Sequence, residues 1–173
     1  SFDVATSVAS IVSVAAAVPA VAGTTTALTK TTDTFVGTSG NDLYNSVISA
    51  AGASGTTVAP GDSISGGAGV DTLALSIAGS LGASYTLSAV STTGVEKVMA
   101  SNFEVQGARN NTIDTSLMTG LTHLGLSSSA AEGDTLFTNV KNIVTGELNN
   151  GAADLTLTYG TTVVSGTADA QVL

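Results

Sequence analysis

The chain has 173 residues, 43% of them hydrophobic and 10% charged, with 13 acids against 4 basic side chains and no cysteine. Its length fits one domain or slightly more. The net charge of −9 excludes a nucleic-acid surface and argues against docking on bare anionic lipid. The absence of cysteine excludes a disulfide framework and thiolate chemistry. Aromatic residues make up only 4%, so a thin, layered core of small aliphatic side chains suits the supply better than a round globule. Thr, Ser, Gly and Asn fill the polar positions that charged residues, usually about 25%, would take. That composition is common in secreted β-rich surface proteins, and its acidity makes metal cations the natural complement.

In chain order, Phe2 to Ala22 is apolar. The first residue is Ser1, there is no basic leading region, and Asp3 stands near the start, which speaks against a signal peptide. Pro19 and several hydroxyl residues interrupt the stretch, which speaks against a membrane span. Residues 3–17 are expected to form a helix, with Asp3 favoured at its N-terminus and Pro19 ending it. Residues 1–23 then form a short helical segment and linker closing a longer upstream region, and residues 24–173 form the main domain. Gly23 to Thr32 reads as a Thr-rich extended linker.

The first repeat unit is Asp33 to Asn45, holding Gly37-Thr38-Ser39-Gly40-Asn41-Asp42-Leu43. An insertion over residues 46–60, closed by Pro60, separates it from Gly61-Asp62-Ser63-Ile64-Ser65. That second unit runs into Gly66-Gly67-Ala68-Gly69-Val70-Asp71-Thr72-Leu73-Ala74, which fits the nonapeptide G-G-x-G-x-D-x-U-x at every fixed position. Residues 37–43 are a degenerate copy, with Thr38 at the second glycine. Glycines let such a turn curl tightly and aim carbonyl oxygens inward. The aspartate adds a carboxylate, and the apolar residue starts a strand. A hard cation with six to eight oxygen ligands, calcium, suits that turn.

Strand-like segments follow: Leu73–Ile77 and Tyr85–Leu87, then Val95–Ala100, Leu121–Leu126 and Val140–Thr145 with a shared apolar-polar-polar-apolar start, then Asp154–Tyr159 and Thr162–Ser165. Spacings of roughly 19 to 26 residues fit the rungs of a parallel β-solenoid. The expected fold is all-β, a β-helix or β-roll with calcium-binding Gly/Asp turns after the N-terminal helix. A β-sandwich of short strands is the competing architecture.

Catalytic signatures are sparse. There is no H-E-x-x-H and no G-x-S-x-G. The one histidine, His123, falls at an outward rung position. Glu96, Glu104 and Glu132 could supply a carboxylate pair for glycoside hydrolysis, but no tryptophan offers a sugar platform. These acids read as solvated rung positions, and no catalytic residue is assigned.

Taken together, Thr32–Tyr44 and Gly61–Leu75 resemble the calcium-binding repeats of repeats-in-toxin (RTX) proteins. The order of a Thr-rich linker, the Asp33–Asp42 segment, an insertion, the Gly61–Leu73 segment and Gly94-Val95-Glu96 is similar to the surface-layer (S-layer) proteins of Gram-negative bacteria of the Caulobacter type. The resemblance covers roughly residues 25 to 145. It implies a non-enzymatic structural protein at the bacterial cell surface, exported by type I secretion, that folds with calcium and assembles with copies of itself into a two-dimensional lattice. Lipopolysaccharide or another surface glycan would be contacted through regions outside this segment, with no nucleic acid and no direct membrane insertion. Carried over by position, Asp42 and Asp71 occupy the turn aspartates, carbonyls around Thr38, Gly40, Gly67 and Gly69 are neutral ligands, and Asp33 and Asp62 precede the turns and supply further carboxylates. Fainter turns lie at Glu132-Gly133-Asp134 and Asn150–Leu155. The alternatives are a repeat segment of a secreted adhesin or exoenzyme and a polysaccharide-active solenoid.

Overall fold

A computed structural model describes residues 21–50, 54–79, 84–105 and 111–164. The expected helix over residues 3–17 lies outside them. Fourteen strands run in order: β1 (Thr25–Ala27), β2 (Thr34–Val36), β3 (Leu43–Ile48), β4 (Ser63–Ser65), β5 (Thr72–Ile77), β6 (Thr86–Leu87), β7 (Ser91–Thr93), β8 (Lys97–Asn102), β9 (Asn111–Asp114), β10 (Met118–Thr119), β11 (His123–Ser127), β12 (Thr135–Val140), β13 (Thr145–Asn149) and β14 (Leu155–Tyr159). They form three parallel sheets, ordered β1-β3-β5-β8-β11-β13, β10-β7-β4-β2 and β14-β12-β9-β6. Between β5 and β12 the chain visits the three sheets in turn, within a β-solenoid of about 4 turns. On the six-stranded sheet Leu43 pairs with Thr72, Thr72 with Lys97, Lys97 with His123 and His123 with Thr145, so successive rungs advance by 29, 25, 26 and 22 residues.

Alternation places every second side chain inward. Tyr44, Leu73, Val98 and Leu124 stack as one buried row, and Ile113 and Phe137 line the third sheet. Each such side chain contributes about 1.5–3 kcal/mol relative to exposure. No rung closes its core alone; stacking does.

The two ends differ. At the N-terminal end β1 covers only Leu43–Asn45 of β3. The insertion covers the remainder: Val47 N–H donates to Thr57 Oγ1, Thr57 N–H to the Val47 carbonyl, and Ser49 N–H to Thr56 Oγ1. Leu28 and Val58 are buried there. At the other end Leu148, in register with buried Leu126, is 62% exposed, and β13 and β14 are edge strands.

Several boundaries differ from the sequence reading. Gly23–Thr32 is not a free linker, since β1 joins the six-stranded sheet. Ser46–Ile48 belong to β3, so the insertion starts after Ile48. Val140 ends β12 and residues 141–144 form a corner, so the residue in register with Val95 and Leu121 is Ile143. The shift arises because the last rung passes from the third sheet straight to the six-stranded one. Residues 161–164 form a turn where a closing strand was expected.

Candidate metal centre

The four aspartates of the repeat units occupy two corners of the solenoid. Asp33 and Asp62 precede β2 and β4; Asp42 and Asp71 precede β3 and β5. At each corner the acid of one rung accepts the backbone N–H of the acid on the rung before it. Asp33 N–H donates to Asp62 Oδ1 at 3.0 Å, Asp42 N–H to Asp71 Oδ1 at 2.7 Å, and Asp71 N–H to Glu96 Oε2 at 2.8 Å. The sequence places the two pairs at equal separations, and that is the signal of stacked rungs. Glu96, read as a solvated rung position, is the third member of the longer ladder. A related bond joins Asp154 N–H to Asp134 Oδ1.

Three of the four carboxylates have both oxygens engaged by protein donors. Asp33 accepts Thr29 N–H and the Thr29 hydroxyl. Asp62 accepts Asp33 N–H and Ala59 N–H. Asp42 accepts N–H and hydroxyl from both Thr24 and Thr38. These sets fit backbone capping of the turns.

Asp71 is different. It is 0% exposed, its Oδ1 accepts Asp42 N–H, and its Oδ2 has no hydrogen-bond partner. A buried, unpartnered carboxylate oxygen is costly unless something compensates it. The Gly94 carbonyl and Asp71 Oδ2 lie 1.8 and 2.3 Å from the point where a Cβ on Gly66 would sit. Both oxygens therefore pack against the Gly66 Cα, where a side chain would collide with them. The Thr38 and Gly40 carbonyls lie against Gly67 and Gly69, 2.1 and 2.6 Å from where their Cβ atoms would stand. Asn41, unnoticed in the sequence, ties the turns together by accepting Val70 N–H at its Oδ1.

The titration of the two turn aspartates diverges accordingly. Burial pushes the Asp71 carboxyl up, the Asp42 N–H pulls it partly back, and the charges of Glu96 and Asp42 push it up again. Thr24 N–H, then Thr38 N–H and the two hydroxyls, hold Asp42 down at about 2. A folded value below the unfolded 3.8 gives stability that is present above the unfolded value and lost as pH falls through the folded one. Urea unfolding in chelator should show that loss between pH 4 and about 2, and the Asp42→Asn variant should show less of it. An unchanged slope in the variant would contradict the assignment.

Among the described residues, no three acidic or histidine side chains gather to hold a metal by themselves. Calcium at the Asp71 turn would rest on one free carboxylate oxygen and on backbone carbonyls such as that of Gly94. The other acids are placed apart. Glu104, expected in solvent, is 0% exposed, with its Oε1 accepting Val105 N–H beside the buried Asn102–Asn111 pair. His123 lies on the outer face of the six-stranded sheet, its Nδ1 2.8 Å from Thr122 Oγ1. A groove of about 540 Å³ on that sheet is lined by Ala27, Val47, Ala74 and Phe103 among others, and no acid, histidine or lysine lines it. No family model, curated protein or solved structure shows a significant match to the chain.

Proposed function

We propose that the chain is a structural segment of a bacterial surface layer, a rigid solenoid consolidated by calcium at the turn of Asp71 and assembled with copies of itself at the cell surface. The observation that carries this reading is the free, buried Asp71 Oδ2 inside a complete G-G-x-G-x-D turn, beside the Gly94 carbonyl. Asp71 Oδ2 and neighbouring turn carbonyls would hold the ion, which supplies the positive charge that a buried carboxylate flanked by Asp42 and Glu96 lacks. The chain's own contribution is to fix those oxygens in advance, through the Asp42 N–H bond to Asp71 and the close stacking of Gly66 on Gly94. The S-layer resemblance of residues 25–145 supports the cell-surface setting and the lattice. The low-charge flanks, with Thr34, Ser63, Ser91 and Thr93 along the second sheet, suit close contact between acidic copies.

Extracellular calcium modules bind at roughly 0.1–1 mM, so export into millimolar calcium would consolidate the fold. At a hundredfold excess over the dissociation constant one site adds about 2.7 kcal/mol, a rise of about 5–10 °C in melting temperature for a chain of this size. Calorimetric melting in calcium and in excess chelator checks this. Equal melting temperatures would refute the calcium reading. Electron microscopy of the purified chain with and without calcium tests the lattice, and dispersed particles under both conditions would refute self-assembly by this segment.

A further inference from the structure

The two glycine turns are stacked copies whose aspartates are in different states. They differ at Thr38/Gly67, Ser39/Ala68 and Asn41/Val70, and of these Thr38 is the one whose donors reach the aspartate. Position 37 corresponds to 66, 38 to 67, 40 to 69 and 42 to 71, as the register of β3 on β5 requires. In both turns oxygens pack against the first glycine: the Gly66 carbonyl, Tyr44 Oη and Asp42 Oδ2 at Gly37, and the Gly94 carbonyl and Asp71 Oδ2 at Gly66. In the first turn Thr38 N–H donates to Asp42 Oδ2 at 2.6 Å, and the Thr38 hydroxyl lies 3.1 Å from both Asp42 oxygens. In the second turn Gly67 stands at φ +99°, a conformation that threonine avoids. It offers Asp71 no hydroxyl, and Asp71 Oδ2 receives no donor at all.

We infer that Thr38 makes the first turn independent of metal, its backbone N–H and hydroxyl taking at Asp42 the place that a divalent cation takes at Asp71. The inference rests on the calcium reading of the Asp71 turn and adds that the degenerate residue of the repeat selects which turn takes the ion. Glycine at position 38 would remove the hydroxyl and let the turn adopt the Gly67 conformation, freeing Asp42 Oδ2 beside the Gly66 carbonyl. A rung held by protein donors alone would then become a second calcium-requiring rung.

The test is calcium titration by calorimetry, with melting in calcium and in chelator, on the full chain carrying Thr38→Gly, Thr38→Ser, Asp71→Asn or no change. Thr38→Gly is expected to bind one more equivalent of calcium than the unchanged chain, to melt lower than it in chelator, and to recover in calcium. Thr38→Ser, which keeps the hydroxyl, is expected to match the unchanged chain. A Thr38→Gly chain that binds no additional calcium and is not rescued by it overturns the inference, even where Asp71→Asn abolishes a site in the unchanged chain and so upholds the Asp71 reading. Conversely, an unchanged chain that binds nothing while Thr38→Gly gains a site supports the role of Thr38 and removes the Asp71 reading. Should Thr38→Gly fail to fold in either condition, Asp42→Asn takes its place: it is expected to bind as much calcium as the unchanged chain, and the loss of an equivalent overturns the inference.

Discussion

Gly66→Ala is expected to cost the protein about 3 kcal/mol or more, at the upper end of what forced overpacking does, and to abolish its response to calcium. The added methyl would lie 1.8 Å from the Gly94 carbonyl oxygen and 2.3 Å from Asp71 Oδ2. Neither neighbour can step aside. The carbonyl is backbone of the next rung, and the carboxylate is pinned by Asp42 N–H. The rungs must part, stretching the Gly66 N–H bond to the Thr93 carbonyl, 2.8 Å long. Parting the rungs would also carry the Gly94 carbonyl away from Asp71 Oδ2, so on the proposed calcium reading added calcium should not restore the loss. Urea midpoints with and without calcium measure both effects. Gly160→Ala is the control: its nearest neighbours would be 3.8 Å away, and the change should stay within about 0.5 kcal/mol. A Gly66→Ala chain as stable as that control would mean the turns are stacked more loosely than described.

Phe137→Ala should cost about 3–5 kcal/mol. Phe137 is 0% exposed and stands between Ile113 and Leu157 of the adjoining rungs. With so few aromatic side chains in the sequence, nothing nearby can expand to fill the space. Because each rung contacts mainly its neighbours, the loss should be local. Hydrogen exchange is expected to show residues 111–159 losing protection first, while β3 and β5 keep theirs. Uniform loss of protection along the chain would mean that the solenoid melts as one cooperative unit. Phe103→Ala, at a side chain 43% exposed, should change little.

The rungs were legible because Leu73–Ile77 alternates cleanly and because strand-like segments recur at spacings of about 19 to 26 residues. The broad faces follow from those two signals alone. The inward polar positions were not legible. Ser46 faces the interior and donates to the Ala74 carbonyl, and Asn102 is fully buried with its amide on the Asp134 carbonyl and Thr135 Oγ1. Serine and asparagine at such places interrupt an apolar pattern, so periodicity reads them as surface. Glu104 was misplaced for the same reason. The shift at residues 141–144 escaped notice because the apolar-polar-polar-apolar start recurs at Val140 without marking the strand.

The turn chemistry was legible only in part. A Gly/Asp pattern serves equally to cap a stacked rung and to seat a cation, since both need a carboxylate aimed at the backbone. Geometry distinguishes the four aspartates: protein donors reach both oxygens of Asp33, Asp42 and Asp62, whereas Asp71 Oδ2 has none. The residue that carries the difference, Thr38, looked in the sequence like simple decay of a repeat.

The corner ladder has a consequence for how the molecule can change length. Thr24, Asp42, Asp71 and Glu96 sit one coil apart, and the first three each donate their backbone N–H to the carboxylate that follows. Excising residues 43–71 would splice Asp42 onto Thr72 and bring its amide to Glu96, where the Asp71 amide now rests. The same cut removes Asp62 and leaves the Asp33 N–H without its acceptor, so one corner tolerates the loss of a whole coil while the other does not.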